Sequence, residues 1–480
     1  MSKVTVIRNA AWIVAWDETS NHHQYLRHGD VAFADDKLIH IGGRFDGHAN
    51  VELAGEHMMV MPGLINIHSH PTSEPLRKGI TDETISPNFH HSSLYEFLTT
   101  FNNDAQGMGP CHRVAMAELL RSGCTTIVDY SRPFDGWLDS LAQSGIRACI
   151  APMFLDAPWS TRNGHSLEYD WSDTTRGPKG FAQAQELIEL AKNHASKRLF
   201  GMVSPSQVDT CSAELLQTAH AYAVERDLAF QIHASQSIHE FVEITRRYGC
   251  TPIQWLDKIG VLSDRSIIGH SIFMDHHPWV HWTTRRDLDS LVTSGATVAH
   301  CPTVFMRRGV TLRSFGRYLK AGVNLGIGTD TYPHNLLEEM RNAAINARVT
   351  AGSVDDLTTT DVFNASTVGG AKALRRSDIG KLVAGAKADL VLVDLQHASM
   401  RPMREPIRSL VYVAAERAVK DVFVDGKQVV QGGHCLTIDL DAELKALEAA
   451  QQRSIERVPS MDYAGRTAEE MSPFVFNIAP

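Results

Sequence analysis

The sequence predicts an α/β protein: a (β/α)8 TIM barrel that carries a small β-sandwich domain built from both chain ends. From Met61 onward, eight short apolar segments alternate with helical segments, and such a repeat implies parallel strands with helical crossovers. The two chain ends instead alternate apolar and polar residues with a period of two, as half-buried antiparallel strands do.

These patterns divide the chain into domains. Residues 1–60 and 376–432 are predicted to form the two parts of the β-sandwich, and residues 61–375 the barrel. Residues 433–480 are predicted to form a C-terminal helix capped by Asp439, followed by an extended arm.

The barrel elements are predicted from periodicity and length. The predicted strands are residues 64–67, 125–129, 147–154, 199–203, 229–233, 267–270, 297–300 and 325–330. The predicted helices are residues 111–121, 182–194, 213–225 after the N-cap Ser212, 238–248, 285–294, 312–320 and 336–351. Residues 71–110 are too many for an ordinary βα loop and are predicted to lie over the site.

Composition narrows the class of protein. The 480 residues carry a formal net charge of −9, which disfavours nucleic-acid and anionic-membrane partners. No apolar run reaches membrane-spanning length. The seven cysteines include no C-x-x-C pair, and we expect reduced thiols in a cytoplasmic enzyme.

Five residues that bind metals or move protons each close a predicted strand. They are His68, His70, His233, His270 and Asp330. His68 and His70 are spaced i, i+2, so both imidazoles point to the same side of the strand end. Reactive groups of a (β/α)8 barrel lie at the C-terminal ends of its strands, and the sequence therefore predicts a metal site there.

An ordered set of motifs covers residues 1 to about 430. The motifs are Pro62–His70, His233, Gly269-His270, Ala299-His300-Cys301-Pro302, Gly326–Asp330 and Gly380–Asp394. With them the chain resembles the amidohydrolase superfamily, and most closely the branch that holds guanine and adenosylhomocysteine deaminases, atrazine chlorohydrolase and related triazine or cytosine hydrolases.

The resemblance implies that His68, His70, His233 and Asp330 bind one divalent metal ion, zinc or iron. Such a site leaves a position for water, whose pKa falls to about 7 in well-known zinc enzymes. Asp330 would also accept the proton of that water, and His270 would hydrogen-bond the water or a developing oxyanion. Binuclear relatives need a carboxylated lysine or a glutamate after strand four; residues 199–204 hold neither, so the site is predicted to be mononuclear.

The chain departs from the deaminases of this branch at two places. Their glutamate three residues after the strand-five histidine is Gln236 here, and an amide cannot act as a general acid. His239 or Glu240 could replace it, or both could simply face solvent. The second departure is segment 206–212, which keeps Thr-Cys-Ser but has no counterpart of the substrate-contacting histidine.

These departures favour a metal-dependent hydrolase that cleaves a non-peptide carbon–nitrogen bond of an amide, carbamate, urea or activated heterocycle in a small neutral molecule. The alternatives are a deaminase or dechlorinase of a purine-, pyrimidine- or triazine-like heterocycle, and a catalytically silent binding protein on the same fold. His300 is a further candidate, in the site or orienting a ligand. Other candidates for the pocket are Glu74, Arg77, His90, His91, Trp159, Phe305, Met306 and Arg307.

The chain end predicts self-association. The C-terminal helix carries the apolar stripe Leu440, Leu444 and Leu447, and the arm ends in apolar residues such as Phe474 and Phe476. We expect this end to have little to cover on its own subunit, and we therefore expect a homodimer or larger homo-oligomer.

Overall fold

The computed structural model describes residues 3–84 and 86–479, and the fold is mixed α/β. The start of the predicted sandwich at residues 1 and 2, Ile85 in segment 71–110, and Pro480 at the end of the arm lie outside the described residues.

The described strands alternate with helices through the middle of the chain. The strands are β1 (Val4–Ala10), β2 (Trp12–Asp17), β3 (His22–Leu26), β4 (Gly29–Ala34), β5 (Lys37–Ile41), β6 (Val51–Ala54), β7 (Met58–Pro62), β8 (Leu64–Asn66), β9 (Cys124–Asp129), β10 (Arg147–Ile150), β11 (Met153–Phe154), β12 (Trp159–Ser160), β13 (Glu168–Tyr169), β14 (Leu199–Gly201), β15 (Ser204–Pro205), β16 (Phe230–Ala234), β17 (Ser266–His270), β18 (Thr297–His300), β19 (Asn324–Ile327), β20 (Leu390–Asp394), β21 (Val419–Val424), β22 (Lys427–Gln431) and β23 (His434–Cys435).

The helices are α1 (Phe97–Thr100), α2 (Ala105–Arg121), α3 (Trp137–Ser144), α4 (Arg176–Asn193), α5 (Ala213–Glu225), α6 (Ile238–Tyr248), α7 (Pro252–Lys258), α8 (Asp287–Ser294), α9 (Pro302–Met306), α10 (Phe315–Ala321), α11 (Leu336–Ala351), α12 (Thr359–Ala365), α13 (Val368–Ala373), α14 (Pro406–Ser409), α15 (Leu440–Met461) and α16 (Ala468–Met471). Short 3-10 turns occupy Glu74–Arg77, Pro87–Phe89, Ala398–Met400 and Ala415–Ala418, and a π turn occupies Leu410–Ala414. No described helix is both long and apolar enough to cross a bilayer.

Strands from both chain ends share a sheet, as the sequence predicts. One terminal sheet has the order β5-β4-β1-β6, and the other has the order β23-β22-β21-β20-β7-β2-β3. In the second sheet, β7 pairs with β2 from the N-terminal end and with β20 from the C-terminal end. Ile7, Phe33, Leu390 and Phe423 belong to one buried apolar cluster, so burial of the alternating apolar residues holds these strands together.

The middle of the chain forms two four-stranded parallel sheets, ordered β14-β10-β9-β8 and β16-β17-β18-β19. Single bridges link their edges: Ser69 pairs with Asp330, and Val203 pairs with Phe230. In addition, the Ile67 amide donates to the Ile327 carbonyl at 3.1 Å. These contacts bring the C-terminal ends of β8 and β19 together.

The capping predictions are confirmed. Ser212 accepts a hydrogen bond from the Leu215 amide at the start of α5, and Asp439 accepts one from the Ala442 amide at the start of α15. These side chains satisfy amides that have no partner within the helix.

Several predicted element bounds are wrong. Helix α2 begins at Ala105 rather than at residue 111, although Pro110 lies inside it. Tertiary packing outweighs the helix-breaking tendency of that proline, because α2 packs along α15. The predicted strand 147–154 is divided into β10 and β11, and the predicted helix 312–320 is α10, which begins only at Phe315.

The expectation that the C-terminal helix has little to cover on its own subunit is also wrong. Leu447 and Ala450 of α15 are buried against Leu76, Cys111 and Val114. The helix therefore covers part of segment 71–110 and α2. Farther along, Val458 and Met471 belong to a buried cluster with residues 80, 97 and 101. The last part of the arm is exposed, including Phe474, Val475, Phe476 and Ile478.

Candidate metal centre and substrate cavity

The structure brings the five predicted strand-end residues into one cluster. The Nε2 atoms of His68 and His70 lie 3.5 and 3.2 Å from Oδ1 of Asp330. The Nε2 atom of His270 lies 3.5 Å from Oδ2 of the same carboxylate. The Nε2 atoms of His70 and His233 are 3.3 Å apart. Asp330 is therefore the point on which the imidazoles converge.

The donor set fits a divalent metal ion. Two groups of three donor atoms each lie within 4.8 Å of one another, His68 with His233 and His270, and His68 with His70 and Asp330. Both ring nitrogens of His68 are buried and have no hydrogen-bond partner among the described residues. Three imidazoles and a carboxylate form a usual zinc ligand set with an open position. A cation in this cluster would give a ring nitrogen of His68 the partner that it lacks.

Electrostatics keeps most of these groups in the protonation state that a metal ligand needs. Burial lowers the pKa of His270 to about 3 and holds the pKa of His233 well below its usual value. Burial also tends to raise the pKa of Asp330, but His270 and the other histidines hold it well below its usual range. His70 differs, because the Asp330 carboxylate outweighs the effect of burial and raises the His70 pKa.

Backbone carbonyls fix the orientation of two imidazoles. Nδ1 of His70 donates to the Tyr130 carbonyl at 2.7 Å, and Nδ1 of His233 donates to the Ser206 carbonyl at 2.6 Å. Each ring therefore presents Nε2 to the cluster. Metal-binding histidines are commonly held in this way through their other nitrogen.

Asn66 is a residue that the sequence analysis missed. Its Oδ1 accepts the amides of His68 at 3.1 Å and Thr329 at 3.2 Å, and its Nδ2 donates to Thr329 Oγ1 at 2.8 Å. The Asp330 amide in turn donates to the His68 carbonyl at 2.9 Å. Asn66 thus joins the backbone of the two strand ends that carry His68 and Asp330. The sequence did contain a sign of this role, because Asn66 is a polar residue inside the apolar run that leads to the histidines.

The cluster opens into a cavity of about 440 Å³. His70, His233 and Asp330 lie in its wall, which also includes residues from segment 71–110. Of the other predicted pocket residues, those in the wall are Glu74, Arg77, His90, His91, Trp159 and Phe305. Glu74 is paired with Arg77 and accepts a hydrogen bond from Thr331 Oγ1 at 2.7 Å.

Gln236, at the position of the deaminases' glutamate, and its two possible replacements, His239 and Glu240, lie in different surroundings. Gln236 lies in the cavity wall, whereas His239 and Glu240 do not. The His239 Nε2 contacts the Asn88 carbonyl at 3.1 Å. Glu240 is fully buried, and its carboxylate accepts the amides of Ser235 at 2.5 Å and Gln236 at 3.2 Å.

Three further candidates also lie outside the wall: Met306, Arg307 and His300. His300 closes β18 and is buried, which lowers its pKa to about 3. It is 5.6 Å, centroid to centroid, from the ring of Phe315.

Comparison with known proteins agrees with this geometry. The family model described as the amidohydrolase family matches residues 59–429. The chain belongs to the amidohydrolase family. It is a metal-dependent hydrolase of carbon–nitrogen bonds other than peptide bonds, as the sequence predicts.

Curated relatives in this family include deaminases. The 5'-deoxyadenosine deaminase of Methanothermobacter thermautotrophicus is 26% identical over 430 residues, covering 88% of this chain and 94% of that protein. The 5-methylthioadenosine/S-adenosylhomocysteine deaminase of Thermococcus kodakarensis is 28% identical over 402 residues, covering 83% of this chain and 88% of that protein.

Solved structures show the same fold. An adenosine deaminase from Xanthomonas campestris with bound zinc matches with a TM-score of 0.76 at 23% identity, covering 95% of this chain and 98% of that chain. Atrazine chlorohydrolase from Arthrobacter aurescens, complexed with zinc, matches with a TM-score of 0.75 at 19% identity, covering 93% and 100%.

Proposed function

We propose that the enzyme hydrolyses a carbon–nitrogen bond at a ring carbon of a small, neutral nitrogen heterocycle and releases an amine or ammonia. The observation that carries this proposal is the convergence of three imidazoles on the Asp330 carboxylate at the wall of one cavity. The printed names of the deaminase relatives support a heterocycle as the substrate class.

His68, His70, His233 and Asp330 would hold one divalent ion, zinc, at this cluster. The bound ion would supply Lewis-acid chemistry that makes water acidic enough to react near neutral pH. The zinc in the related solved structures supports this choice of ion. One ion per chain is supported by the residues after the fourth barrel strand, Met202 and Val203, which offer no carboxylate or amine.

Side chains of the site would carry out the proton transfers and hold the substrate in place. Asp330 accepts a proton from the attacking water at a carboxylate oxygen and passes it to the leaving nitrogen. His270, 3.5 Å from that carboxylate, hydrogen-bonds the oxygen of the attacking water. Gln236 orients the substrate by hydrogen bonding only, since a carboxamide has no proton to give near neutral pH. His239 would be confined to supporting the wall through its contact with Asn88.

A second candidate reaction is hydrolysis of an amide, carbamate or urea. Gln236 favours it, because such substrates need no ring protonation from the position at which the deaminases carry a glutamate. Both reactions use the same nucleophile and proton acceptor, so the released product distinguishes them.

The architecture behind this site would be a closed (β/α)8 barrel of residues 61–375. Support comes from the edge bridges between Ser69 and Asp330 and between Val203 and Phe230, which link the two parallel sheets. The two terminal sheets, from residues 1–60 and 376–432, would pack as the β-sandwich, with residues 433–480 as a C-terminal unit.

The enzyme would act in the cytoplasm as a homodimer or larger homo-oligomer. All seven cysteines are free thiols, five of them buried, which suits a reducing compartment. The exposed apolar side chains of Phe474, Val475, Phe476 and Ile478 are a surface that association would cover.

A product screen tests the proposed function. The purified, metal-analysed enzyme is incubated with aminopurines, aminopyrimidines, aminotriazines, amides, carbamates and ureas, and released ammonia or amine is measured. We expect turnover of aminated heterocycles and its loss in His233→Ala. His220→Ala is the matched control, because that imidazole on α5 contacts Ser263 and does not line the cavity. Full activity in His233→Ala would refute the site, and turnover of amides or ureas alone would favour the second candidate.

A further inference from the structure

One loop of segment 71–110 forms a continuous part of the cavity wall. The loop comprises residues 86–96, and six consecutive residues in it, Phe89–Leu94, line the cavity. Ser86 and Glu96 are buried at its two ends, and Oγ of Ser86 donates to Oε2 of Glu96 at 2.7 Å. This hydrogen bond closes the loop, so the position of Glu96 affects where this part of the wall lies.

The middle of the loop is held by the first turn of α6. Oη of Tyr95 and Oγ of Ser237, the N-cap of α6, are hydrogen-bonded at 2.6 Å. The Nε2 atom of His239 contacts the Asn88 carbonyl at 3.1 Å. Neither contact involves Glu96, and the closing end of the loop therefore depends on a different part of the chain.

That part is the turn between α15 and α16, where Arg466 contacts Glu96. The Nη2 atom of Arg466 lies 2.6 Å from Oε1 of Glu96. The same guanidinium is fixed by Asp462, which accepts from Nε at 3.0 Å and from Nη2 at 2.7 Å. The Asp462 side chain is fully buried and also accepts the Arg466 amide at 3.0 Å. Asp462 therefore holds the guanidinium in the orientation that reaches Glu96.

The contact between Arg466 and Glu96 is largely withdrawn from water. The two side chains are 30% and 9% exposed, whereas ion pairs at an open surface contribute little. Hydrogen bonds between charged groups are also roughly twice as strong as neutral ones. Without Arg466, the buried Glu96 carboxylate would keep only the hydroxyls of Ser86 and Tyr463 as donors. A buried charge that loses its partner is unfavourable, so the loop should open more easily.

We propose that Arg466 is a positioning residue that acts through Glu96 to fix the 86–96 loop and thereby the cavity wall at Phe89–Leu94. Arg466 does not line the cavity, so its effect on the reaction is indirect. The candidate metal ligands lie at strand ends outside this loop. Loss of Arg466 should therefore raise KM more than it lowers kcat. This inference rests on the proposed function, because it concerns the same cavity.

Hydrogen–deuterium exchange tests the loop without relying on turnover. Mass spectrometry follows peptides from residues 86–96 in the metal-loaded, full-length enzyme. We expect exchange to be about ten-fold faster in Arg466→Gln and in Glu96→Gln, because each change removes a charge-assisted bond that opposes local opening. If Arg466 acts through Glu96, the double variant should exchange no faster than the single variants. Arg466→Lys keeps the charge and should recover part of the wild-type protection.

Glu443→Gln is the matched control. Glu443 of α15 pairs with Arg113 of α2 at 2.6 Å, so this ion pair also joins the C-terminal helix to the rest of the chain, but neither residue lines the cavity. The control should exchange in the 86–96 peptides at the wild-type rate, and melting curves and metal content show whether each variant is folded and loaded. Wild-type exchange in Arg466→Gln, or effects of the two single changes that multiply in the double variant, would overturn the proposal.

Steady-state kinetics give the second measurement, on the compound that the product screen finds to be turned over fastest. We expect KM of Arg466→Gln to rise at least about five-fold while kcat changes by less than about two-fold. A lower kcat with an unchanged KM would also overturn the positioning role. Faster exchange in Arg466→Gln combined with no turnover of any screened compound by the wild-type enzyme would instead refute the proposed function.

Discussion

The guanidinium of Arg147 and the carboxylate of Asp389 form a buried, bidentate ion pair. Nε lies 2.8 Å from Oδ2, and Nη2 lies 3.0 Å from Oδ1. The two side chains are 1% and 2% exposed. Arg147 begins β10 of a parallel sheet, whereas Asp389 directly precedes β20 of a terminal sheet. The pair therefore connects the two sheets at a position that solvent does not reach.

Removing one partner of this pair should strongly destabilise the protein. In Asp389→Ala, Arg147 stays buried and keeps only its contact with Asp425. Breaking a buried pair in this way costs about 3–5 kcal/mol, which urea denaturation can measure. Asp46→Ala is the control, since the Arg44–Asp46 pair is 87% and 83% exposed and exposed pairs contribute little. Equal unfolding midpoints for the two variants would show that the buried pair contributes nothing.

Loss of Asn66 should weaken metal binding more than it affects the fold. Asn66→Ala removes the amide that joins the backbones at His68 and Thr329. Groups that orient metal ligands typically change affinity by about 10–100-fold, and we expect a change of that size in zinc competition with a chelator. Asn193→Ala, at the exposed end of α4, should leave affinity unchanged. Wild-type affinity in Asn66→Ala would contradict the orienting role.

Chelation should abolish activity reversibly. The cluster at Asp330 offers one open site, so the enzyme as purified should hold about one metal ion per chain. Dialysis against a chelator should remove both the ion and the activity, and one equivalent of zinc should restore them. Retention of two equivalents after dialysis would exclude a mononuclear site, and an active metal-free enzyme would exclude the proposed chemistry.

The positions of the candidate metal-site residues were predictable because each closes an apolar strand, as His68, His233 and Asp330 do. Asn66 does not belong to a repeating pattern, so its role depends on which strand ends meet. The apolar stripe of α15 was visible in the sequence, but a stripe does not identify the surface it covers. That surface includes Leu76, which lies far away along the chain.

Gln236→Glu distinguishes the two candidate reactions. The new carboxylate would share the cavity wall with Asp330, and like charges so placed disturb each other's pKa values. If the substrate is an amide or urea, activity should fall by about ten-fold or more, as expected for the loss of ~1.4 kcal/mol from the transition state.

If the enzyme is a deaminase, the same substitution supplies a ring-protonating acid and should raise ammonia release. Steady-state kinetics of Gln236→Glu on both substrate types measures the difference. A gain on both types would mean that the orienting role given to Gln236 is mistaken.

Two truncations separate the functions of the chain end. Removal of residues 473–480 deletes the exposed apolar arm and should shift light-scattering mass from an oligomer to a monomer, with catalysis retained. Removal of residues 439–480 also deletes α15 and exposes Leu76 and Val114, so KM should rise as the cavity wall loosens. A full-length chain of monomer mass would count against self-association.

Because α15 supports a wall segment from much earlier in the chain, the cavity wall is completed only after α15 has been synthesised. Gln451 donates hydrogen bonds to the carbonyls of Leu76 and Lys78, 375 and 373 residues earlier in the chain. At roughly 5–20 residues per second, a ribosome takes on the order of tens of seconds to cover that distance. During this interval the wall segment has emerged without the helix that supports it. A nascent chain that already holds every candidate metal-site residue would therefore still lack a finished cavity until α15 has been synthesised.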